Sequence, residues 1–258
     1  MSWALVAGGS KGIGLGITEA LAKRNFNVLL VARDLAELAK IKTRLEAQFP
    51  VQVEILSCDL ALPESSKIIF EWCANKNLEI KILCNAAGLG GSVDFPTLPL
   101  SELRTMIHLN FESAVALSYM FIPLLKKTAP SFILNVGSMA GFAPIPVKNL
   151  YSATKSAVVF FSYSLRFQLE KKNISVSVLC PGPVFTKPEI RKDTKEKLGW
   201  IGMQMAVSPE RVGEIAVRET LNKKLVIVPG GLSKFMALLI RALPRRLIVS
   251  IYNKAGQK

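Results

Sequence analysis

Short runs of apolar residues alternate along the chain with longer stretches in which apolar positions recur every three or four residues. The short runs predict strands, and the longer stretches predict helices. The predicted strands are residues 3–7, 27–31, 51–57, 80–84, 131–137, 174–180 and 224–228. The predicted helices are residues 13–24, 34–48, 64–76, 100–127, 150–171 and 209–221. Strands that alternate with helices in this way predict a parallel sheet covered by helices.

The predicted strands are apolar along almost their whole length and lack the polar positions of a solvated face. Such strands are typical of parallel sheets that are covered by helices on both sides. The sequence therefore predicts an α/β protein with a doubly wound, seven-stranded parallel sheet. Ligands of these sheets bind beyond the carboxyl ends of the strands, so we expect the functional residues there.

A single domain accounts for most of the chain. The length of 258 residues fits one α/β domain, which we place at residues 1–231. Residues 232–258 are predicted to form a basic, apolar helical extension of one or two helices broken at Pro244. Arginines and this proline interrupt the extension, which makes it a poor candidate for a membrane span.

The chain is strongly basic, with a formal net charge of +14. Residues 222–258 contain eight positive charges and no Asp or Glu. Such an excess favours anionic partners, namely phosphate-bearing ligands, acidic membranes or nucleic acid. No predicted helix has a basic stripe interleaved with aromatic residues, which argues against nucleic acid. For the extension, three interpretations stay open: peripheral contact with a membrane, covering of a lipophilic pocket, and packing against a partner subunit or the protein's own core.

The four cysteines lack CxxC or metal-ligand spacing, so no metal is expected. Their apolar surroundings predict buried, reduced thiols and a reducing compartment. The first apolar run passes directly into a glycine turn and has no secretory signal before it. We therefore expect a cytoplasmic protein that is either free or peripheral at a membrane surface.

A glycine-rich segment follows the first predicted strand. It consists of Gly8, Gly9, Ser10, Lys11, Gly12, Ile13 and Gly14, with the glycine spacing GxxxGxG. Glycines at this place allow a tight turn and let a pyrophosphate approach the N-terminus of the next helix. An ordinary glycine-rich turn is the alternative. The position between the first strand and the first helix favours nucleotide binding.

The end of the second strand indicates which dinucleotide would bind. A carboxylate there binds the ribose hydroxyls of NAD, whereas a basic side chain accommodates the additional phosphate of NADP. Ala32 offers no carboxylate, and Arg33 with Lys11 would form a phosphate clamp. The sequence therefore predicts NADP(H). The alternative is that both side chains are solvated surface charges, while Asp34 caps the following helix.

The fifth strand and the helix after it contain candidate groups for proton transfer. Ser138 ends the strand, and Tyr151 and Lys155 lie one turn apart on one face of the helix. A tyrosine with a pKa of about 10 exchanges protons poorly at neutral pH. A nearby ammonium favours the phenolate and lowers that pKa, so the pair is a candidate for acid/base chemistry.

In combination, these motifs resemble those of the short-chain dehydrogenase/reductase family, from about Trp3 to Val228. Asp59 and Leu60, after the third strand, resemble the family's adenine-contacting segment. Asn85, Ala86, Ala87 and Gly88 resemble its NNAG motif, with Ala86 in place of the second Asn. Pro181, Gly182, Val184 and Thr186 resemble its PG motif, and Asn110 matches its fourth catalytic residue.

The resemblance implies a Rossmann fold and hydride transfer between NADP(H) and a carbonyl or secondary alcohol. It implies that Tyr151 exchanges a proton with the substrate oxygen and that Ser138 polarises this oxygen. It further implies that Lys155 lowers the Tyr151 pKa and binds the nicotinamide ribose. Asn110 would hold a water connected to Lys155, would cap backbone groups at a helix kink, or would do both. The segments at residues 8–14, 59–60, 85–88 and 181–186 would bind the cofactor, and the last of them, the PG-like segment, would hold the nicotinamide carboxamide.

In the family, the substrate is bounded by the segments that correspond here to residues 139–150 and 187–207. Their apolar side chains predict a lipophilic carbonyl substrate, such as a 3-oxoacyl chain or a steroid-like ketone. These side chains are Phe142, Ile145, Pro146, Val147, Leu150, Trp200, Ile201, Met203 and Met205. The alternative is that they pack against the protein or a neighbouring subunit.

Two other functions stay open at this point: a non-catalytic NADPH-binding regulatory protein, and a NAD-dependent alcohol dehydrogenase of the same family. A homodimer or homotetramer, formed through the helices at 100–127 and 150–171, is an expectation from the resemblance.

Overall fold

The computed structural model describes residues 1–90, 95–186, 194, 200 and 202–256. Its strands are β1 Trp3–Ala7, β2 Asn27–Ala32, β3 Val53–Ser57, β4 Ile80–Asn85, β5 Ser131–Val136, β6 Ile174–Leu179 and β7 Val226–Ile227. They form one parallel sheet in the order β3-β2-β1-β4-β5-β6-β7. This confirms the predicted doubly wound, seven-stranded sheet.

Helices cover both faces of the sheet. They are α1 Gly12–Ala22, α2 Leu35–Gln48, α3 Ser65–Asn75, α4 Leu100–Ile107, α5 Ser113–Lys127, α6 Asn149–Leu169, α7 Pro209–Leu221, α8 Gly231–Ala242 and α9 Arg245–Gly256. Helices α1, α2 and α7 pack on one face, and α3, α5 and α6 pack on the other. The chain therefore forms three layers, with the sheet in the middle.

Alternation along the strands explains why both helical layers find an apolar surface. In β1, Ala4 and Val6 belong to the core beneath α1, whereas Leu5 and Ala7 belong to the core beneath α5. Successive side chains of a strand point to opposite faces, so an entirely apolar strand supplies both cores.

The site-forming edge of the sheet lies where the strand order reverses. Strand β1 pairs with β2 on one side and with β4 on the other. The loops after β1 and β4 therefore border a crevice at the carboxyl ends of the strands, the usual ligand position in such sheets. In the neighbouring pair β4–β5, Asn85 lies opposite Asn135.

The predicted helix at 100–127 is interrupted. A π-helical turn, His108–Glu112, separates α4 from α5. The strand predicted at 224–228 is shorter than expected, because only Val226 and Ile227 pair with β6 at the edge of the sheet. Lys223 before it has a left-handed φ of 59°, and Pro229 after it has no N–H for pairing.

The C-terminal extension forms two helices, α8 and α9, which are separated at Leu243 and Pro244. Ala237, Ile240 and Ile248 from these helices pack with Met139, Ile145 and Met205 in a small separate core. One face of the extension is therefore part of the folded body. Across the ranges given above, no helix has both the length and the apolar character needed to cross a bilayer.

Candidate active site

The turn after β1 requires glycine at two positions. Gly8 has a φ of +86°, and a Cβ on it would lie 2.6 Å from the Ala87 nitrogen. A Cβ on Gly14 would lie 1.9 Å from the Gly8 carbonyl oxygen. Both contacts are with backbone atoms, which have little freedom to move away. The two glycines thus bring the turn after β1, the start of α1 and the loop after β4 into direct contact.

The N-terminus of α1 faces this crevice. The side chain of Lys11 at its N-cap forms no hydrogen bond with the first turn, and that turn has no acidic residue. Free N–H groups and the helix dipole favour an anion at such an end. The cradle formed by this helix end and the glycine turn suits a dinucleotide pyrophosphate.

The turn after β6 lies against the same helix end. A Cβ on Gly12 would lie 2.8 Å from the Thr186 Cγ2 atom. The Thr186 N–H donates to the Val184 carbonyl over 2.8 Å, and Val184 is buried. The Met139 N–H donates to the Pro181 carbonyl over 3.0 Å, which connects this turn to the residue after Ser138. The structure thus places the predicted PG motif between the glycine turn and the reaction end.

The predicted phosphate clamp lies at the open rim of the crevice. The Lys11 and Arg33 side chains are exposed, and neither forms a salt bridge with any residue that the structure describes. Asp34 accepts a hydrogen bond from the Glu37 N–H over 3.0 Å and caps α2. Its carboxylate is therefore already engaged, and the two free cations stay available for a phosphate.

Asp59 and Leu60 follow β3 in the described loop. The Asp59 carboxylate accepts a hydrogen bond from the Ala61 N–H over 3.0 Å, and Leu60 is buried. This turn places the Asp59 carboxylate at the same edge of the sheet as the glycine turn.

Asn85 is directed into the protein. Its Nδ2 donates to the Asn135 Oδ1 over 2.8 Å, and Asn135 donates onward to the Ser162 hydroxyl over 2.9 Å. The Asn85 Oδ1 has no hydrogen-bond partner among the described residues, and Asn85 and Asn110 both line a small cavity. A direct contact of the Asn85 side chain with a cofactor does not fit this orientation. The loop after β4 instead borders the crevice with the backbone of Ala86, Ala87 and Gly88.

Ser138, Tyr151 and Lys155 converge at the end of β5. The Ser138 side chain lies close enough to the Tyr151 phenol to influence its pKa, and the Ser138 oxygen accepts from the Ala140 N–H over 3.1 Å. The Lys155 Nζ lies 5.9 Å from the centre of the Tyr151 ring. The four-residue spacing on α6 thus brings the phenol and the ammonium to one face, as predicted.

Burial controls the protonation of this pair. Burial raises the pKa of Tyr151, and the nearby Ser138 side chain acts in the opposite direction. Burial also lowers the pKa of Lys155 to about 8. The expected lowering of the Tyr151 pKa by Lys155 is not what the structure gives. Loss of solvent around the phenol dominates, and the Lys155 ammonium donates to the Val136 carbonyl over 2.8 Å.

Asn110 lies in the π-helical turn and uses its whole amide on the protein. Its Oδ1 accepts from the Leu89 N–H over 2.7 Å, and its Nδ2 donates to the Leu89 carbonyl over 2.9 Å. The Nδ2 also donates to the Thr154 hydroxyl over 3.2 Å. Asn110 therefore caps the backbone after β4 at a helix kink, which is one of the two interpretations left open. A Cβ on Gly88 would contact both Asn110 and the Lys155 Nζ, so the two side chains meet below this loop.

Cys180 is a site residue that the sequence did not reveal. Its thiol is buried beside Gly137, whose added Cβ would lie 3.3 Å from the sulfur. Burial raises the Cys180 pKa to about 12, against the effects of a Ser138 backbone hydrogen bond and of Lys155. The register of the sheet explains this position, because Val136 pairs with Leu179 and the residues that follow them, Gly137 and Cys180, are therefore neighbours.

Several side chains predicted to line the substrate region are packed within the protein instead. Ile145 and Met205 are buried in the small core with α8 and α9, and Phe142 and Val147 pack against it. Pro146, Leu150 and Met203 are half-buried, Trp200 is exposed, and Ile201 lies outside the described residues. Packing on the protein was the stated alternative for these residues.

Comparison with known proteins gives a consistent family assignment. Residues 2–197 match the model of the family described as short chain dehydrogenase. The very-long-chain 3-oxoacyl-CoA reductase of Macaca fascicularis is 33% identical over 201 residues, which cover 76% of this chain and 64% of the relative. The chain thus spans less than two thirds of the length of that relative. The uncharacterized oxidoreductase DltE of Bacillus subtilis is 32% identical over 201 residues, covering 77% of this chain and 78% of the relative.

Solved structures agree with this result. The bulky-bulky ketone specific alcohol dehydrogenase of Comamonas testosteroni has a TM-score of 0.79 at 26% identity, covering 94% of this chain and 92% of the other. A short-chain dehydrogenase from Sphingobium yanoikuyae in complex with NADPH has a TM-score of 0.80 at 25% identity, covering 95% and 97%. L-sorbose reductase from Gluconobacter frateurii, complexed with NADPH and L-sorbose, has a TM-score of 0.79 at 25% identity, covering 89% and 95%.

Proposed function

The chain belongs to the short-chain dehydrogenase/reductase family of oxidoreductases, and on that premise we propose that it transfers hydride between NADP(H) and the carbonyl of a lipophilic substrate. The observation that carries the proposal is the arrangement of Ser138, Tyr151 and Lys155. They meet at the end of β5, beside a glycine cradle that fits a dinucleotide.

The residues of the crevice fit the cofactor. The uncapped N-terminus of α1 and the close contacts at Gly8 and Gly14 suit a pyrophosphate. The exposed cations Lys11 and Arg33 at the rim suit the additional phosphate of NADP. Two of the similar solved structures are complexes with NADPH, which also supports NADP(H) over NAD.

In the reduction direction, NADPH supplies the hydride that the carbonyl carbon accepts. The Tyr151 hydroxyl donates its proton to the carbonyl oxygen, so one hydride and one proton complete the alcohol. A raised pKa keeps Tyr151 protonated before this step. The Ser138 hydroxyl donates to the same oxygen while negative charge develops on it.

Transfer of this proton converts Tyr151 into a phenolate, and a buried negative charge needs stabilisation. The Ser138 side chain favours the phenolate, and the Lys155 Nζ lies 5.9 Å from the centre of the ring. Asn110 orients this region from below, because it holds the Leu89 backbone and the Thr154 hydroxyl next to Lys155. The same residues, acting in reverse, would take a proton from an alcohol.

The substrate class rests on the relatives and on those predicted apolar side chains that stay accessible. Leu150 and Met203 are half-buried, and Trp200 is exposed. Several similar proteins are named very-long-chain 3-oxoacyl-CoA reductases. We therefore propose a 3-oxoacyl thioester or a bulky ketone as the substrate.

The test is NADPH consumption with a panel of 3-oxoacyl thioesters, steroid ketones, quinones and aldehydes. We expect turnover with the lipophilic 3-oxo compounds and a loss of about a thousandfold in kcat for Tyr151→Phe. The variant should still bind NADPH, which a fluorescence titration measures. Binding of NADPH without turnover of any compound by the unaltered protein would instead indicate a regulatory NADPH-binding protein. Retained turnover in Tyr151→Phe would refute the assigned proton donor.

A further inference from the structure

Helix α8 has apolar side chains on two of its sides. Ser233, Ala237 and Ile240 recur every three or four residues and are buried against the protein. The outward side has the exposed side chains of Leu232, Phe235, Leu238 and Leu239, of which Phe235 is 57% and Leu238 is 67% exposed. An amphipathic helix on a protein surface normally presents polar residues outward. The outward side of α8 is therefore an exposed apolar stripe.

Helix α9 continues this stripe. Ile248 faces the protein and is 3% exposed, whereas Leu247 and Ile251, one turn apart, are 47% and 51% exposed. Leu243, between the two helices, is also exposed. Exposed apolar side chains that are grouped on neighbouring helices in this way mark an interaction site. We call the outward side of α8 and α9 the tail surface.

The charged residues of α8 and α9 are all basic. Lys234, Arg245 and Arg246 are exposed, and none of them forms a salt bridge within the described ranges. Residues 222–258 contain no Asp or Glu. Arg241 differs, because it lies over the Phe142 ring and donates to the Tyr163 hydroxyl over 3.1 Å, which holds α8 on the body of the protein.

We propose that the tail surface docks onto a bilayer that contains anionic lipids, with both helices lying in the plane of the interface. The exposed leucines and Phe235 would enter the boundary between headgroups and acyl chains. The three unpaired cations would contact lipid phosphates at its margin. Apolar side chains flanked by Lys and Arg are the combination that binds such interfaces without spanning them.

A second copy of the chain fits the tail surface less well. A two-fold contact brings the same patch of both subunits together. Residues of the tail surface would then meet residues of the same surface, where Lys234, Arg245 and Arg246 add positive charge and residues 222–258 offer no carboxylate to offset them. Like charges across an interface oppose association. Anionic headgroups offset the same charges, so charge complementarity favours the bilayer.

The tail surface lies close to the reaction end. On their inner side, Ala237 and Ile248 pack with Met139 and Ile145, in the segment that follows Ser138. A helix with its side chains is about 10 Å across. Docking would therefore hold this segment within about one helix diameter of the bilayer surface. A lipophilic substrate dissolved in the bilayer would then need only a short transfer to reach the site.

The experiment is flotation of the full chain with vesicles. One set of vesicles contains phosphatidylcholine alone, and the other contains equal parts of phosphatidylcholine and phosphatidylglycerol. We expect the protein to float with the second set only and to lose binding as salt is raised, because salt screens the headgroup charges. Failure to float with the anionic vesicles would overturn the proposal, and so would equal binding to both sets.

Two pairs of variants locate the docking surface. Phe235→Ser with Leu239→Ser removes apolar side chains from the tail surface, and we expect vesicle affinity to fall roughly tenfold or more. The matched control is Leu62→Ser with Ile68→Ser. It removes side chains that are 56% and 46% exposed after β3, at the opposite edge of the sheet. This control should bind vesicles normally.

The second pair tests charge. Arg245→Gln with Arg246→Gln should lower affinity for the anionic vesicles roughly tenfold or more, since each cation near such a surface contributes about 1 kcal/mol. Its control, Lys171→Gln with Lys172→Gln, removes two exposed cations that precede β6 at the amino edge of the sheet. Equal losses in variant and control would refute the assigned location.

Light scattering and NADPH titration accompany every variant. Intact NADPH binding shows that a variant is folded. If Phe235→Ser with Leu239→Ser lowers the molecular mass in solution and leaves vesicle binding unchanged, the tail surface is a contact between copies and the proposal is wrong. Vesicle binding can fail while turnover of soluble ketones persists, so this test is separate from that of the proposed function.

Discussion

The buried ammonium of Lys155 should destabilise the folded protein at neutral pH, and Lys155→Met should reveal this cost. Methionine is an unbranched side chain of similar length that carries no charge. Burial lowers the Lys155 pKa from 10.5 to about 8. At about 1.4 kcal/mol for each tenfold change in proton affinity, the difference corresponds to roughly 3 kcal/mol.

The sign of the pH dependence follows from which state holds the proton. Below about pH 8 both the folded and the unfolded chain are protonated at Lys155, so the full cost is present. Between about pH 8 and 10.5 the unfolded chain binds more protons, so the stability of the unaltered protein rises with pH. Lys155→Met lacks this rise. Loss of the hydrogen bond to the Val136 carbonyl changes the size of the stability difference between the two proteins. The change of that difference with pH reports on the charge of Lys155.

Urea unfolding of both proteins, near pH 7 and near pH 10, measures the effect. We expect the unfolding free energy of the unaltered protein, taken relative to that of Lys155→Met, to rise by roughly 2 kcal/mol from about pH 7 to about pH 10. Lys171→Met, at an exposed position close to the end of the same helix, is the control and should show no such change. A difference between the unaltered protein and Lys155→Met that does not vary with pH would refute the desolvation of Lys155.

Three further predictions concern the cofactor and the assembly. Arg33→Asp should raise the Kd for NADPH roughly ten- to a hundredfold and change the Kd for NADH much less; equal changes in a fluorescence titration would contradict the clamp. Gly14→Ala should abolish NADPH binding, because its Cβ would lie 1.9 Å from a backbone oxygen, whereas Gly231→Ala, with open space around it, should keep both binding and thermal stability; normal binding by Gly14→Ala would contradict the cradle. We also propose that α6 forms a contact between subunits through Phe160 and Phe167, which are 65% and 68% exposed; Phe160→Glu should lower the mass in light scattering, and an unchanged mass would exclude this contact.

Much of the fold follows from the apolar runs, because a strand that must supply two cores has few polar positions. The seven strands of the sheet lie where these runs predict them, and Ser208 begins α7 by accepting from the Arg211 N–H, the expected role of a serine before a proline. The break between α4 and α5 could not be predicted in the same way. It accompanies hydrogen bonds of Asn110 with Leu89, which lies in the loop after β4, and helical periodicity carries no signal from such contacts.

The sequence predicts which residues form the candidate site better than it predicts their protonation. The spacing of Tyr151 and Lys155 places them on one helix face, but their protonation depends on burial, which spacing does not report. The Asn85 amide illustrates a second limit. A motif locates the residue after β4, whereas the direction of its side chain follows from the partner strand. Cys180 enters the site for the same reason, through the register of β5 against β6.

The hydrogen bond between Asn85 and Asn135 also has a consequence for how the two halves of the site are aligned. Ile82, Leu83 and Leu134 would lose little apolar burial if β4 and β5 were displaced along each other. A displacement by one residue would send the two amides to opposite faces, and a displacement by two would separate them. Either displacement leaves a buried amide without its partner, which costs about 1–3 kcal/mol of stability. The pair therefore fixes the register of β4 against β5, which the apolar side chains alone would specify only weakly. One strand leads into the loop that we propose to bind the cofactor and the other into Ser138, so this pair fixes the height of the Ser138 hydroxyl relative to that loop.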